Sequence, residues 1–494
     1  VRMLCLSATI PNAREFADWI EAIKGHTVDT VINDVRPVPL HRTFFDSELG
    51  IATLDDIKAN RRKHKIFHKG FRVPQKRSMY QIKTHIELVS QIKDKLPCFF
   101  FTFSRQRCQK NALELSKSDL FKTNSEITSY VRKKLSGAPP EINNLRSTQD
   151  LRSVLPYGIA FHHAGLLPII KELVEELFSM GLIKVLYTTE TFAVGINMPA
   201  KSVCFDSMMK FDGVTFRYLN SKEYFQIAGR AGRRGIDDKG FAYAIVDRRD
   251  FNYEILKNMT TDDTEPIKSQ FRLSVNTVLN LVKQHNPDEI DHILCKNFNT
   301  YQKYGNRFDT EKTAVIYRNF NNIKKELERL GYIDDDTLTP KGIFTTRIYS
   351  EEIATGEIFG TGFYKTLDDY DIFLLIACLS YEAKPKDEFY KLYDSSSVHA
   401  LEDKILADHY LSSVDKFNSM KHMTALVYPC YAGETIFDII DNTNLLEGDA
   451  IRLFRQIIDR IGQIRNATKD KSLLTALDKI ENMIDKSMCD IDVI

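Results

Sequence analysis

Five short apolar runs carry almost no polar interruption: CFFFTF (98–103), GIAFHH (158–163), IKVLYTT (183–189), SVCFDS (202–207) and GFAYAIVD (240–247). A strand with one wet face alternates apolar and polar residues. Continuous runs of this length belong instead to strands buried on both faces, as in a parallel sheet. The clearest helix between them is PIIKELVEELFSMG, where Pro168 suits the first turn and Gly181 the C-terminal cap. Its Ile169, Ile170, Leu173, Val174, Leu177 and Phe178 make one apolar face. Together these elements predict a βαβ layer between Pro97 and Asp247.

The flanks read differently. The run VRMLCLSAT has the form of a buried strand entered midway, which suggests a fragment whose N-terminal part is missing. SATIPNAREFADWIEAI is a turn leading into a helix with Phe16, Trp19, Ile20 and Ile23 on one side, VDTVI (28–32) follows as a strand, and RPVPL (36–40) is a linker. From about Asp263 the strand signal ends. TAVIYRNFNNIKKELERLGYI followed by DDDTLTPKG has the form of a recognition-type helix ending at Gly331 and a short hairpin, a winged-helix pattern. Helical periodicity then runs to the end, closing with a segment from Gly448 to Ala467. The domains expected are 1–40, the end of one α/β domain; 41–255, a second, whole one; 256–345, a winged helix; and 346–494, a helical bundle.

Charge constrains partners. Lys+Arg of 68 against Asp+Glu of 67 leaves a net +1, so a polyanion must be met by local basic patches. The eight cysteines are scattered, with no C-x-x-C pair and no histidine cluster at ligand spacing, and they read as reduced intracellular thiols with no metal site. The longest apolar run, IFLLIACL (372–379), is too short for a bilayer, and the expectation is a soluble chain with no membrane partner. DEID (288–291) lacks a preceding buried strand and reads as a decoy for a metal-binding box.

Three polar, glycine-containing segments stand where strands of the α/β layer end or begin: FHHAGLLP, TTETFAVGINMPA and QIAGRAGRRG. Ligands of open α/β sheets sit beyond the carboxyl ends of the strands, so all three are expected on one edge. In the third, Gly229, Gly232 and Gly235 surround Arg230, Arg233 and Arg234. Glycine permits close backbone approach, and arginine makes forked contacts with phosphate.

These segments resemble superfamily 2 helicase motifs: SAT (7–9) motif III, FTFSRQRC (101–108) motif IV, TTETFAVGINMPA (188–200) motif V and QIAGRAGRRG (226–235) motif VI. Within that superfamily, SATIPNAREFADWI, FHHAGLLPIIKELVEELF, KFDGVTFRYLNSKEYFQIAGRAGRRGIDDKG, FRLSVNTVLNLV, KGIFTTRI and LLEGDAIRLFRQI are similar to the superkiller-type DExH-box RNA helicases that serve the RNA exosome. Archaeal DNA-repair helicases share FHHAGL and are less similar elsewhere.

The resemblance implies an α/β RecA-like domain with a parallel sheet, followed by the winged-helix and all-α bundle domains. It implies ATP and Mg²⁺ as cofactors and single-stranded RNA, or a duplex with a 3′ tail, as partner. Arg230 and Arg233 would meet the γ-phosphate with Gln226 beside it, and Gly195 and Asn197 would sit at the nucleotide edge. Ser104, Arg105 and Thr189 would hold the RNA backbone, Ser7 and Thr9 would couple hydrolysis to closure, and Arg452 and Arg455 would lie along RNA on a ratchet helix. On that helix Ile451, Phe454, Ile457, Ile458, Ile461 and Ile464 form the packed face, and Arg452, Arg455 and Asp459 fall together on another.

The chain departs from the pattern in three places. It has no G-x-x-x-x-G-K-[ST] and no DExH box, so by itself it should not hydrolyse ATP, and Mg²⁺ would be bound mainly by a missing N-terminal domain. A long arch insertion is replaced by about twenty residues before KKELERLGYI (324–333), which puts arch-dependent exosome contacts in doubt. A basic segment, KANRRKHKIFHKGFRVPQKR (58–77), is unexpected; it could touch RNA, but a charge run of this kind is more often a solvated loop. For Arg230 and Arg233 the plainer reading is a salt-bridged loop, and for the chain as a whole the rivals are a DNA helicase of the repair type and an ATPase-inactive scaffold.

Overall fold

The computed structural model describes residues 3–7, 10–33, 35–60, 77–195, 198–213, 215–248, 251–263, 265–306, 314–384, 386–393 and 395–492. Two compact units emerge: Val1–Asn12 with Val31–Ile267, and Ala13–Thr30 with Lys268–Ile494.

The first unit is built on β1 (Leu40–Asp46), β2 (Gly50–Ala52), β3 (Cys98–Phe101), β4 (Ile159–His162), β5 (Val185–Thr188), β6 (Ser202–Phe205) and β9 (Gly240–Ile245), with β7 (Met209–Phe211) and β8 (Phe216–Tyr218) forming a separate hairpin. The large sheet has the order β2-β1-β9-β6-β3-β5-β4, and every pairing is parallel except β1 with β2. All residues of β3, β4, β5 and β6 are buried, as their unbroken apolar runs require. The helix Pro168–Ser179 buries all six of its expected apolar residues. Fully burying side chains of this kind contributes about 1.5–3 kcal/mol each.

Two expected strands are not formed. Residues 3–7 have no strand pattern, and Met3, Leu4 and Leu6 are exposed. Residues 28–32 are likewise unpaired, with Val31 94% exposed. An apolar run becomes a strand only where a neighbouring strand takes its N–H and C=O groups, and among the described residues neither run has a partner strand. The preceding helix Ala13–Lys24 packs within the second unit: Phe16 and Trp19 set their rings 5.2 and 5.1 Å from that of Phe298, and Trp19 Nε1 donates to the Lys296 carbonyl at 2.9 Å.

In the second unit the helix Ala314–Arg329 ends before Gly331 and leads into the two-stranded pair β10 (Ile333–Asp334) and β11 (Thr337–Leu338). Asp335 and Asp336 make the turn at positive φ, a conformation that aspartate tolerates better than most residues. Leu327, Tyr332 and Ile333 join Val278, Leu279, Ile290, Leu294 and Phe320 in one core. Farther on, the helix Asp369–Ser380 contains the IFLLIACL run, buried along its whole length beneath the helices Met420–Tyr431, Glu447–Ala467 and Lys471–Asp492. It is a core helix, and no described helix is long and apolar enough to cross a membrane.

Candidate functional site

The Gly/Arg loop follows the helix Ser221–Ala228. Asn220 and Glu223 close a reciprocal capping box at the start of this helix, and Gln226 is exposed near its end. The chain then turns beside the segment before β6: Ala200 N donates to the Arg230 carbonyl at 3.0 Å, and Gly232 N donates to the Ala200 carbonyl at 2.7 Å. Gly240 N donates to the Pro39 carbonyl at 2.9 Å. Each of these partners stands just before a strand begins, so the arginine loop lies at the amino edge of the sheet. The expectation that all three polar segments share one edge is therefore corrected. The helix runs back antiparallel to the strands, and its far end delivers the loop to the opposite side.

The arginines differ in their partners. Arg230 Nη2 donates to the Ala193 carbonyl of the helix Glu190–Gly195, and among the described residues no carboxylate pairs with it. Burial lowers its pKa below the ordinary arginine value, which costs some charge stabilisation without threatening protonation. Arg233 is forked onto Asp237, with Nε to Oδ2 at 2.7 Å and Nη2 to Oδ1 at 2.9 Å. That pairing holds the Asp237 carboxyl below its usual range. The salt-bridged-loop reading therefore describes Arg233 and not Arg230.

At the carboxyl edge, β3, β4 and β5 end side by side. Thr102 N donates to the Thr188 carbonyl at 2.8 Å, and Thr188 Oγ1 to the His162 carbonyl at 3.0 Å. Beyond these ends lies an open cleft of about 380 Å³ lined by Arg105, Thr189, Thr191, Lys210, Phe211 and Arg217, among others. Arg105 and Thr189 are thus brought together. Ser104 stands next to them as the cap of the helix Arg105–Ser116, accepting from Arg107 N at 3.4 Å.

Lys210 and Arg217 were not singled out from the sequence. Lys210 Nζ lies 2.8 Å from both Glu190 and Glu223, and Arg217 forks onto Glu223 at 2.7 and 2.9 Å. Burial alone would raise the Glu223 pKa, but hydrogen bonds from Arg217 and Lys210 outweigh it and bring it down to about 2. Arg107 pairs with buried Asp206 at 2.5 Å, but there burial outweighs the pairing and holds the Asp206 carboxyl above its usual range.

The remaining sites fall unevenly. Gly195 closes its short helix, Ser7 is exposed, and Asn197, Thr9 and most of the basic segment, residues 61–76, lie outside the described residues. In the second unit, Arg452, Arg455 and Asp459 are exposed together on the helix Glu447–Ala467, opposite its buried isoleucines. Arg460, unremarked in the sequence, is buried: it donates to the Ser350 carbonyl at 2.7 Å, the Leu379 carbonyl at 3.1 Å and Ser380 Oγ at 3.1 Å. No group of three potential metal ligands occurs among the described residues.

A parallel sheet carrying an arginine loop after a short helix is the architecture of a helicase C-terminal RecA-like lobe, with a helical part after it. The helicase conserved C-terminal domain matches residues 140–235, and the DSHCT (NUC185) domain matches residues 335–491. The chain's homologues are the superkiller-type DExH-box RNA helicases. It is 37% identical over 324 residues to the human exosome RNA helicase MTR4, covering 62% of this chain and 31% of that protein. It is 36% identical over 310 residues to human superkiller complex protein 2, covering 57% and 25%. With mRNA transport homolog 4 of Caenorhabditis elegans it shares 36% over 340 residues, covering 64% and 32%. The chain spans about a third of the length of the curated relatives it matches.

Proposed function

We propose that this chain is the C-terminal part of an ATP-dependent 3′-to-5′ RNA helicase that unwinds RNA and feeds it toward processing or decay. The observation that carries the reading is Arg230: a desolvated guanidinium held by one carbonyl, beside the motif V helix, with its charge left over for another anion. Phosphoryl transfer needs fixed positive charge where charge develops, and an arginine so placed is worth about 10³ to 10⁵ in rate. The residues present fit one side of a nucleotide: Arg230 and Arg233 toward the γ-phosphate, and Gln226 near it. ATP with Mg²⁺ supplies the phosphoryl group, and a partner lobe carrying the P-loop supplies the metal and phosphate grip that this sequence lacks. Arg233 exchanges Asp237 for phosphate as the lobes close.

RNA lies over the carboxyl edge, where Arg105, Ser104 and Thr189 hold backbone phosphates without reading bases. Residues 256–345, of which 268 onward lie in the second unit, form the winged helix, a reading supported by the helix Ala314–Arg329 and its hairpin, and residues 346–494 form the bundle whose Arg452 and Arg455 line the strand. The exosome or its adaptors are the protein partners, on the strength of the human relative's name. The test is ATPase and unwinding by the full-length protein on 3′-tailed RNA duplexes and on DNA. Stimulation by RNA with loss of turnover in Arg230→Ala is expected. Equal turnover in that variant, or stimulation by DNA alone, refutes the assignment.

A further inference from the structure

Arg36 lies in RPVPL, which reads as a linker in the sequence. In the structure its guanidinium faces the underside of the arginine loop. Nη2 donates to the Ala231 carbonyl at 2.5 Å and to the Gly229 carbonyl at 3.2 Å, while Nε donates to the Val38 carbonyl at 2.8 Å. One side chain therefore grips the carbonyls of the residues on both sides of Arg230.

The surrounding packing leaves the loop little freedom. Gly232 has φ +89°, and a Cβ there would stand 2.5 Å from Val38 Cγ1. A Cβ on Gly240 would stand 2.5 Å from the Ala231 carbonyl oxygen. Segment 36–39 and the start of β9 thus form a seat that admits the loop only without side chains at these two positions. The acceptors on Arg36 are all carbonyls; burial, and then repulsion from Arg42, lower its pKa, and Arg42 is itself occupied with the Thr260 and Thr261 carbonyls at 2.7 and 2.5 Å. Arg36 therefore adds positive charge behind the loop as well as fixing its shape.

We propose that Arg36 is a positioning residue for Arg230: by holding the carbonyls of residues 229 and 231 it sets the direction in which the Arg230 guanidinium leaves the loop. The inference rests on reading Arg230 as the γ-phosphate contact. A misplacement of about 1 Å at a reacting centre costs about 10²-fold in rate, so a loosened seat should appear in turnover before it appears in binding.

The experiment measures steady-state ATPase of the full-length protein with a single-stranded RNA oligomer, together with RNA affinity by fluorescence anisotropy and the thermal midpoint, for wild type, Arg36→Met, Arg36→Lys and Arg230→Ala. Expected for Arg36→Met is a fall in kcat of about 10²-fold with KM for ATP and RNA affinity within about threefold of wild type. Arg36→Lys, which keeps the charge but cannot fork across two carbonyls, should lie between the two at an unchanged thermal midpoint. Wild-type kcat in Arg36→Met, while Arg230→Ala is inactive, overturns the positioning role and leaves the helicase reading intact. Normal turnover in Arg230→Ala refutes that reading itself. If Arg36→Met melts below the assay temperature, the lysine variant decides: wild-type kcat at a wild-type midpoint overturns the proposal.

Discussion

The two edges of the parallel sheet handle positive charge in opposite ways. At the carboxyl edge three cations are paired with carboxylates: Lys210 with Glu190 and Glu223, Arg217 with Glu223, and Arg107 with Asp206. At the amino edge Arg36 and Arg230 are held by carbonyl oxygens, which accept hydrogen bonds without cancelling charge. Arg233, with Asp237, is the exception there. A neutralised network fixes geometry with a modest grip, which suits a surface that a polyanion must slide across. Uncancelled charge at a desolvated point suits a single phosphate whose charge grows during reaction. The same side-chain types thus serve two ends, and their partners decide which.

The comparison can be broken most severely at Arg230. Its alanine variant in the full-length protein is expected to lose about 10³-fold in RNA-stimulated phosphate release. A loss of threefold or less would show that the amino edge has no special role.

Next comes the carboxyl edge, where Glu223→Gln removes the shared carboxylate and should cost about 2 kcal/mol in denaturant unfolding, the scale of hydrogen bonds to charged groups. The sign with pH follows from the depressed folded pKa. The stabilisation is complete above the ordinary value of 4.5 and fades as pH falls toward about 2. Over that window wild type should lose stability that the glutamine variant does not have to lose. Parallel acid titrations would contradict the network's importance.

A smaller effect is expected in the second unit. Arg452→Ala and Arg455→Ala should each weaken RNA binding and lower the slope of log affinity against log salt by about 0.7, the value for one phosphate contact on a single strand. An unchanged slope would remove that residue from the RNA path.

Smallest is Asp237→Asn, which frees Arg233. It should shift stability by at most about 1 kcal/mol and leave turnover no lower than wild type. A collapse in turnover would mean that the carboxylate, and not its guanidinium partner, matters to the reaction.

The sheet and the helix Pro168–Ser179 were legible because burial on two faces and on one face leave different periodicities. The same reasoning failed at residues 28–32, where local pattern allows a strand and only an absent neighbour forbids it. Glycine and arginine composition pointed to the loop of Arg230, but the edge it occupies depends on the direction of the preceding helix in space. The β7–β8 hairpin carried a signal that was passed over: Asp212-Gly213 between apolar and charged residues is a turn dipeptide. Arg36 and Arg460 carried none. Their acceptors are mostly main-chain carbonyls and hydroxyls distant in sequence, as with Gly229 and Ala231 for Arg36 and Leu379 and Ser380 for Arg460, and a backbone oxygen has no residue type to read.

The helix Ser221–Ala228 begins at Glu223's network on one side of the sheet and ends at the arginine loop on the other. Eight residues make a rod of about 12 Å, a little over two turns, with no proline or glycine inside it to act as a hinge. On the proposed reading, a strand of nucleic acid that nudged Lys210 or Arg217 would press on one end of a lever whose other end aims a guanidinium. Grip on the polymer and readiness toward the nucleotide would then be joined by a single stiff piece.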